Sequence, residues 1–273
     1  WEGCYNVRDL GGFPTQRGAT TRYGSVFRSD MLSRLTVRGW ETAVNDGLRT
    51  IIDLRGPAEA AQATYQSTCP DSITYHNITL ESDDPNAAHH MQAAQTRADV
   101  YRAILAHYAH NVAQVMQVIV AAPAGGLVIH CHAGKDRTGI VTALLLRLAG
   151  VSHAAIGADY MLSQACLWPL YEQMVAEAGG EANVNPWMKP VATADMILQP
   201  VAASHQFWGM LAYRLSTICQ VHTPWAFVSR PCDTVCLPLL CLCPSNCVFA
   251  RISGIKGAEH RTLHDWNRRM VYI

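Results

Sequence analysis

Residues 127–139 have the sequence LVIHCHAGKDRTG. The run begins with four residues, LVIH, that form a short apolar stretch of the kind that builds a buried strand. Cys131 ends this stretch, and a short loop with Gly134 leads to Arg137, after which residues 138–149 are strongly apolar and predict a helix. The pattern therefore predicts a strand, a tight loop and a helix, with a cysteine and an arginine at the ends of the loop.

The predicted loop has the properties of an anion site. Backbone N–H groups of such a loop converge on one point and add to the N-terminus of the following helix. Gly134 permits the backbone conformation that this needs, and Arg137 can bind two oxygens of a phosphate at once. Cys131 lies beneath the same positive field, which favours its thiolate, the nucleophilic form. The segment therefore predicts a phosphate cradle that carries its own nucleophile.

The segments around this loop alternate between predicted strands and predicted helices. Runs of apolar and β-branched residues predict further strands, at 23–29, 48–54 and 73–80. Helical patterns predict helices, at 37–45 after the candidate N-cap Thr36, 57–63, 97–119, 153–166 and 170–178. The alternation indicates an α/β fold with a central, mostly parallel sheet flanked by helices.

The composition narrows the class of protein. The chain has 273 residues, of which 49% are hydrophobic and 15% charged, so it can form a packed core. Lys and Arg together number 21 and so do Asp and Glu, and this balance argues against a nucleic-acid partner. No apolar run reaches the ~18 residues of a transmembrane helix. Scattered cysteines before residue 199 suit the cytoplasm, although secretion stays open because the sequence begins at Trp1 rather than at a methionine.

The loop matches the Cys-x5-Arg signature of the protein tyrosine phosphatase superfamily. Its form, HCHAGKDRTG at residues 130–139, most resembles the tyrosine/serine and phosphoinositide phosphatases of that superfamily. Five other segments resemble the same family, at residues 6–12, 26–30, 32–35, 52–55 and 158–163. The resemblance covers about residues 5–198 and implies the cysteine-phosphatase fold, with the signature loop between a strand and a helix.

The resemblance also implies roles for the loop residues. Cys131 would attack phosphorus and form a phosphocysteine, while Arg137 and the loop amides hold the phosphate oxygens. Thr138 would hydrogen-bond the thiolate. Lys135 would favour phosphoinositide head groups, the alternative being a solvated loop cation. The expected phosphate-binding residues are His132, Ala133, Gly134, Lys135, Asp136, Arg137 and Thr138. No metal and no organic cofactor is implied, because the loop supplies both the nucleophile and the positive charge.

The general acid that protonates the leaving oxygen has three candidates. Asp83 is favoured because it follows the predicted strand at 73–80, in a polar segment that suits a mobile loop. Asp53 ends a predicted strand beside the expected pocket, where it can act in catalysis or form a structural pair with Arg55. Asp136 lies within the signature itself.

The predicted function is hydrolysis of phosphate monoesters on phosphotyrosine or phosphoserine proteins and on phosphoinositides. One alternative is a catalytically weak, phosphate-binding pseudophosphatase, because the loop can bind an anion without turnover. Intact Cys131 and Arg137 weigh against it. Another alternative is a sulfurtransferase of the rhodanese type, which also carries a cysteine at the end of a strand. The sequence does not indicate an oligomeric state.

From about residue 199 the resemblance stops. Six of the ten cysteines and several prolines crowd into the remaining residues. We therefore expect a catalytic domain at 1–199 and, at 200–273, a divergent Cys/Pro-rich tail that is non-homologous and poorly ordered. A zinc site in the tail is an alternative, although the cysteine spacings fit no standard pattern. Its ligands would be Cys236, Cys241, Cys243 and Cys247 with His260 and His264.

Overall fold

The computed structural model of the chain describes residues 1–62, 65, 69–80 and 93–203. The strands in these ranges are β1 (Arg8–Asp9), β2 (Val26–Ser29), β3 (Leu48–Asp53), β4 (Thr74–Asn77) and β5 (Gly126–His130). They form one sheet in the order β1-β2-β5-β3-β4. β1 runs antiparallel to β2, and the other neighbouring pairs are parallel. The predicted α/β architecture with a mostly parallel sheet is confirmed.

Helices follow most of the strands. The α-helices given in the described ranges are α1 (Val37–Asn45), α2 (Pro57–Gln62), α3 (Arg97–His107), α4 (Ala109–Ala121), α5 (Asp136–Leu148), α6 (His153–Glu177) and α7 (Ala194–Ala203). Short 3-10 helices lie at Leu32–Arg34, Glu181–Asn183 and Pro186–Met188. The predicted bounds of α1 are confirmed, since Thr36 Oγ1 accepts a hydrogen bond from the N–H of Gly39 at 3.1 Å. This bond satisfies one of the donors that the first turn of a helix leaves open.

Both faces of the sheet are buried, because successive side chains of a strand point to opposite sides. On β3, Ile51 packs in the smaller apolar cluster with Trp40 of α1, whereas Ile52 belongs to the larger cluster on the other face. On β5, Val128 and Ile129 divide between the two clusters in the same way. Helices on both faces therefore shield the central strand whose end carries the signature loop.

The apolar periodicity from 97 to 119 predicts one helix, and this prediction is wrong because the structure has two. The break lies at Tyr108, whose φ of −110° and ψ of 20° leave the α-helical range. Tyr108 still donates its N–H to the carbonyl of Ile104 and accepts a hydrogen bond from the N–H of Val112. Apolar side chains before and after the break stay on the same core, so the periodicity does not register it.

The two helices predicted at 153–166 and 170–178 are also wrong, because they form the single helix α6, which contains Pro169. A proline inside a helix removes one hydrogen bond and crowds the preceding turn, which is why the sequence indicates a stop. Leu167 and Tyr171, on either side of the proline, are both buried. Their packing stabilises the helix across the interruption.

Several predictions lie outside the described residues. They include the polar loop that contains Asp83 and the part of the tail from residue 204 onward, with its candidate zinc ligands. α7 crosses the predicted boundary at residue 199, and the division into two parts stays a prediction. Among the helices of the described ranges, none combines the length and the apolar character needed to cross a bilayer.

Candidate active site

The signature loop lies at the carboxyl edge of the sheet, near its centre. In the parallel register, Ser29 of β2 and Asp53 of β3 both pair with His130, the last residue of β5. The chain places strands on both sides of β5, and the crevice at such a point of a parallel sheet is where α/β proteins bind ligands. Cys131 follows directly and is 2% exposed. The predicted nucleophile is therefore buried at this crevice.

The three carbonyl oxygens of residues 132–134 each accept a hydrogen bond from the N-terminal part of the chain. Their donors are, in order, the N–H of Met31 at 2.9 Å, the side-chain amide of Asn6 at 2.9 Å and the guanidinium of Arg28 at 2.7 Å. Within the described part of the chain, no N–H of residues 132–135 donates to a protein group. With the carbonyls held on one side, these N–H groups can receive an anion on the other.

Gly134 is required at its position for two reasons. Its φ of +65° lies in the left-handed region, where a side chain is strained. A Cβ at this position would also lie 2.2 Å from the carbonyl oxygen of Ser29. The loop thus approaches the end of β2 so closely that only glycine fits.

A buried ion-pair network holds the arginine that fixes this loop. Arg28 is fully buried and lies 2.5 Å from Asp159 of α6, which also binds Arg8 at 2.7 Å. Burial raises the pKa of Asp159, but the two guanidinium groups outweigh it and hold this pKa below its ordinary value. These three residues were not predicted as site residues from sequence, although all three lie in segments that carry the family resemblance.

Arg137 is bound by an acid, Glu59, that was not predicted from sequence. Glu59 of α2 accepts hydrogen bonds from the guanidinium at 2.7 and 3.1 Å and lies 3.3 Å from Nδ1 of His132. Burial raises the pKa of Glu59, but hydrogen bonds from His132 and Arg137 lower it to about 2. The sequence gives only a weak signal for this contact, namely the position of α2 directly after β3. The carboxyl end of β3 neighbours that of β5, so α2 begins near the signature loop. Glu59 is thus an ionised carboxylate held against two residues of the signature loop.

Asp136 lies on the loop side of α5 and is partly accessible, with 31% of its side chain exposed. It accepts a hydrogen bond from the hydroxyl of Tyr101 and pairs with Arg97 at 3.1 Å. Burial raises the pKa of Asp136, but Lys135, Arg97 and Tyr101 together hold it below its ordinary value. Asp136 is therefore an anion at the mouth of the cradle, surrounded by hydrogen-bond donors.

Lys135 is not a solvated loop cation, so that alternative is wrong. Its residue exposure is only 2%, and its Nζ donates to the carbonyl of Val191 at 3.1 Å and lies 3.7 Å from Asp136. The ammonium is thus bound within the protein. A role for Lys135 toward a phosphoinositide head group stays a prediction.

Asp53 is placed in a buried structural pair. It binds Arg55 at 2.8 Å and accepts a hydrogen bond from the hydroxyl of Tyr75 at 3.0 Å. Burial raises the pKa of Asp53, but His130 and Arg55 lower it below its ordinary value. Since Asp53 is fully buried, whereas the side chain of Asp136 is partly exposed, the geometry favours the structural alternative for Asp53 over a proton-donating role.

Two further polar side chains lie beside the signature loop. His130 is fully buried, and its Nε2 lies 2.7 Å from the hydroxyl of Tyr65. The hydroxyl of Thr138 is buried and finds no hydrogen-bond partner among the described residues. The predicted hydrogen bond from Thr138 to Cys131 is therefore not formed in this structure, although both residues are buried beside the loop. No group of three or more His, Cys, Asp and Glu side chains in the described ranges is arranged to hold a metal ion.

Comparison with known proteins identifies relatives for most of the chain. The sequence profile of a family described as "Tyrosine phosphatase family" matches residues 1–216. A tyrosine-protein phosphatase of Nostoc commune is 33% identical over 152 residues, which are 55% of this chain and 52% of that protein. The triple specificity protein phosphatase PtpB of Mycobacterium tuberculosis is 30% identical over 190 residues, covering 59% of this chain and 67% of that protein. The match thus spans between about half and two thirds of the length of these curated relatives.

A solved structure gives a fainter likeness. The crystal structure of TpbA from P. aeruginosa covers 66% of this chain and 87% of that chain, at 15% identity and a TM-score of 0.31. This overlap is too loose to bear on the chemistry of the site.

Proposed function

The chain belongs to the tyrosine phosphatase family, and we propose that it hydrolyses phosphate monoesters of proteins through a phosphocysteine formed on Cys131. The observation that carries this proposal is the signature loop: the carbonyls of residues 132–134 accept three hydrogen bonds, while the N–H groups of residues 132–135 donate to no group in the described part of the chain. Arg137 ends the same loop and adds a permanent positive charge. Family membership agrees with the resemblance seen in the sequence.

The proposed reaction has two steps. In the first, the Cys131 thiolate attacks phosphorus, the S–P bond forms and the P–O bond to the leaving group breaks, while a carboxylic acid protonates the departing oxygen. In the second, water attacks phosphorus and gives its proton to the carboxylate. The S–P bond then breaks, inorganic phosphate leaves and the thiolate is restored. The loop N–H groups and Arg137 stabilise the charge that the phosphoryl oxygens carry in both transition states.

Glu59 serves this reaction by positioning Arg137. Its carboxylate accepts hydrogen bonds from two of the five N–H groups of the guanidinium and also contacts His132. A guanidinium held in this way keeps one orientation, so less entropy is lost when a phosphate binds to it. Glu59 does not touch the substrate in this proposal.

Two carboxylates are proposed as candidates for the general acid. Asp83 is the choice from sequence and lies outside the described residues, whereas Asp136 lies on the cradle and is partly exposed. Matched variants Asp83→Asn and Asp136→Asn distinguish them. Loss of the acid slows hydrolysis of a phosphoserine peptide far more than hydrolysis of p-nitrophenyl phosphate, because p-nitrophenolate leaves readily without a proton. It also removes the basic limb of the pH–rate profile.

The proposed substrates are phosphotyrosine proteins first, with phosphoserine proteins and phosphoinositides as extensions. The extension is supported by the name of the mycobacterial relative, a triple specificity phosphatase. Rates of the full chain on a phosphotyrosine peptide, a phosphoserine peptide and phosphoinositide vesicles rank the three classes. A cytoplasmic location stays a prediction.

The direct test is turnover of p-nitrophenyl phosphate by the wild-type chain, by Cys131→Ser and by the control Cys166→Ser, which alters a free thiol on α6. We expect turnover in the wild type and the control, none in Cys131→Ser, and a mass increase of one phosphoryl group on Cys131 after acid quenching. Turnover that survives in Cys131→Ser would overturn the mechanism. Phosphopeptide binding without turnover in the wild type would instead favour the pseudophosphatase.

A further inference from the structure

The segment of residues 187–191, here called the cradle wall, is bound to two consecutive residues of the signature loop. Lys135 donates to the carbonyl of Val191 at 3.1 Å. Arg97, which pairs with Asp136, donates to the carbonyls of Trp187 at 2.5 Å and Lys189 at 3.1 Å. These bonds place the cradle wall directly beside the phosphate cradle.

Trp187 presents a large aromatic surface on this wall. Its residue exposure is 48%, although tryptophan is among the side chains that gain most from burial. The guanidinium of Arg97 lies over its ring, 5.2 Å from the centroid, and Asn185 accepts a hydrogen bond from its backbone N–H at 3.0 Å. A single guanidinium therefore separates the indole from Asp136, and both the ring and the backbone beneath it are held in place.

We propose that Trp187 is a specificity-determining residue that contacts the aromatic ring of a phosphotyrosine whose phosphate lies in the cradle. The proposal rests on the proposed function, since the substrate ring reaches the indole only when its phosphate binds the signature loop. Phosphotyrosine extends an aromatic ring from the phosphate toward the mouth of the cradle. Phosphoserine has only a short alkyl stem there and forms no such contact. Met188, which is 39% exposed next to the indole, adds a flexible apolar surface for the same ring.

The size of the effect follows from the energetics of aromatic pairs. A ring-on-ring contact beyond simple burial corresponds to about three- to tenfold in affinity. The contact is made in the bound state as well as in the transition state, so its removal raises KM more than it lowers kcat. The hydrogen bonds that hold the cradle wall are accepted by the backbone carbonyls of Trp187, Lys189 and Val191, not by the indole. Truncation of the side chain therefore leaves the wall in place.

The experiment compares the wild type with Trp187→Ala, Trp187→Phe and the control Tyr23→Ala. Tyr23 is 72% exposed and precedes β2, at the opposite edge of the sheet from the signature loop. We expect Trp187→Ala to raise KM about three- to tenfold on a phosphotyrosine peptide and to change it less than about twofold on the matched phosphoserine peptide. Trp187→Phe restores most of the loss, and Tyr23→Ala behaves as the wild type.

The same substitution in the Cys131→Ser background makes the test independent of turnover, because peptide affinity is then measured at equilibrium. Weaker phosphotyrosine binding in this background supports the role of Trp187 even if the wild type shows no turnover and the proposed function fails. An equal loss on both peptides would assign Trp187 a structural role and overturn the proposal. So would an unchanged preference in Trp187→Ala, or a lack of binding to either peptide.

Discussion

Replacing Glu59 by glutamine tests the role of the acid that holds Arg137. The substitution keeps the size of the side chain and removes its charge. In the wild type, Glu59 accepts two hydrogen bonds from Arg137 and contacts His132, with a quarter of its side chain exposed. The variant replaces the carboxylate that faces this guanidinium with a neutral amide, whose one oxygen is a weaker acceptor.

The effect on stability follows from the pKa of Glu59, which falls from 4.5 to about 2 in the folded chain. At about 1.36 kcal/mol for each pH unit of pKa shift, the ionised form stabilises the fold by about 3 kcal/mol. Because the folded pKa is lowered, this stabilisation is complete above the ordinary carboxyl pKa and is lost as the pH falls from about 5 toward 2. We expect Glu59→Gln to unfold more easily than the wild type at pH 7, with a difference that shrinks on acidification.

The effect on activity is separate. A hydrogen bond to a charged group contributes about 1.5–3 kcal/mol of binding free energy. If Glu59→Gln lets Arg137 move and lose one such bond to the phosphate in the transition state, kcat/KM falls about 10- to 100-fold. Most of this fall is expected in kcat, because the guanidinium stabilises charge in the transition state.

The assays are urea unfolding at pH 7 and pH 4, and steady-state hydrolysis of p-nitrophenyl phosphate at pH 7. Glu41→Gln is the matched control, since Glu41 is exposed on α1. A variant that binds phosphate more tightly and turns over as fast as the wild type would refute the positioning role and show that Glu59 competes with the substrate. A stability difference that does not depend on pH would refute the linkage argument.

Three other substitutions test the scaffold of the site. Gly134→Ala is expected to cost at least about 2 kcal/mol of stability and most of the activity, because the residue has φ +65° and its Cβ would lie 2.2 Å from Ser29 O. Gly18→Ala, at φ +77° with nothing within 4 Å, isolates the backbone strain, and equal melting temperatures for the two variants would contradict the clash. Asp159→Asn leaves two paired arginines without their buried carboxylate and should lower the free energy of unfolding in urea by about 3–5 kcal/mol. A loss below about 1 kcal/mol would mean that the network is no stronger than a surface pair. Asp53→Asn is expected to destabilise the chain near neutral pH, where the carboxylate of lowered pKa is ionised, and to leave the limbs of the pH–rate profile in place. A shifted limb would identify Asp53 as the proton donor.

Local sequence was sufficient for the elements that form the cradle. The apolar run before Cys131 and the apolar segment after Arg137 predict β5 and α5, and Thr36 predicts the start of α1. These are decisions made by near neighbours along the chain, through strand propensity, capping and the period of apolar side chains. Features that depend on packing were predicted wrongly. The break at Tyr108 was missed because the apolar periodicity continues across it. The break expected near Pro169 does not occur, because packing against the core holds the helix together.

The functional assignments of side chains divide in the same way. The loop was predicted to be an anion site because its cysteine, glycine and arginine are a few positions apart. Glu59 was not, because its contact with Arg137 joins residues 78 positions apart, and nothing in a single sequence reports such a pairing. The tertiary structure also shows that Lys135, for which a solvated loop cation was one alternative, is a buried donor to the carbonyl of Val191.

By itself, the sequence determined the α/β class, the strand and helix that flank the signature loop and the family of the chain, because these depend on short-range patterns. It also predicts the place of the nucleophile. Only the tertiary structure decided which partners the charged groups of the site have: Glu59 for Arg137, Asp159 for Arg28 and the cradle wall for Arg97. The physical reason is that strand order brings distant segments to one edge of the sheet. There, burial and the neighbouring charges determine whether each ionisable group pairs, stays ionised or faces the substrate.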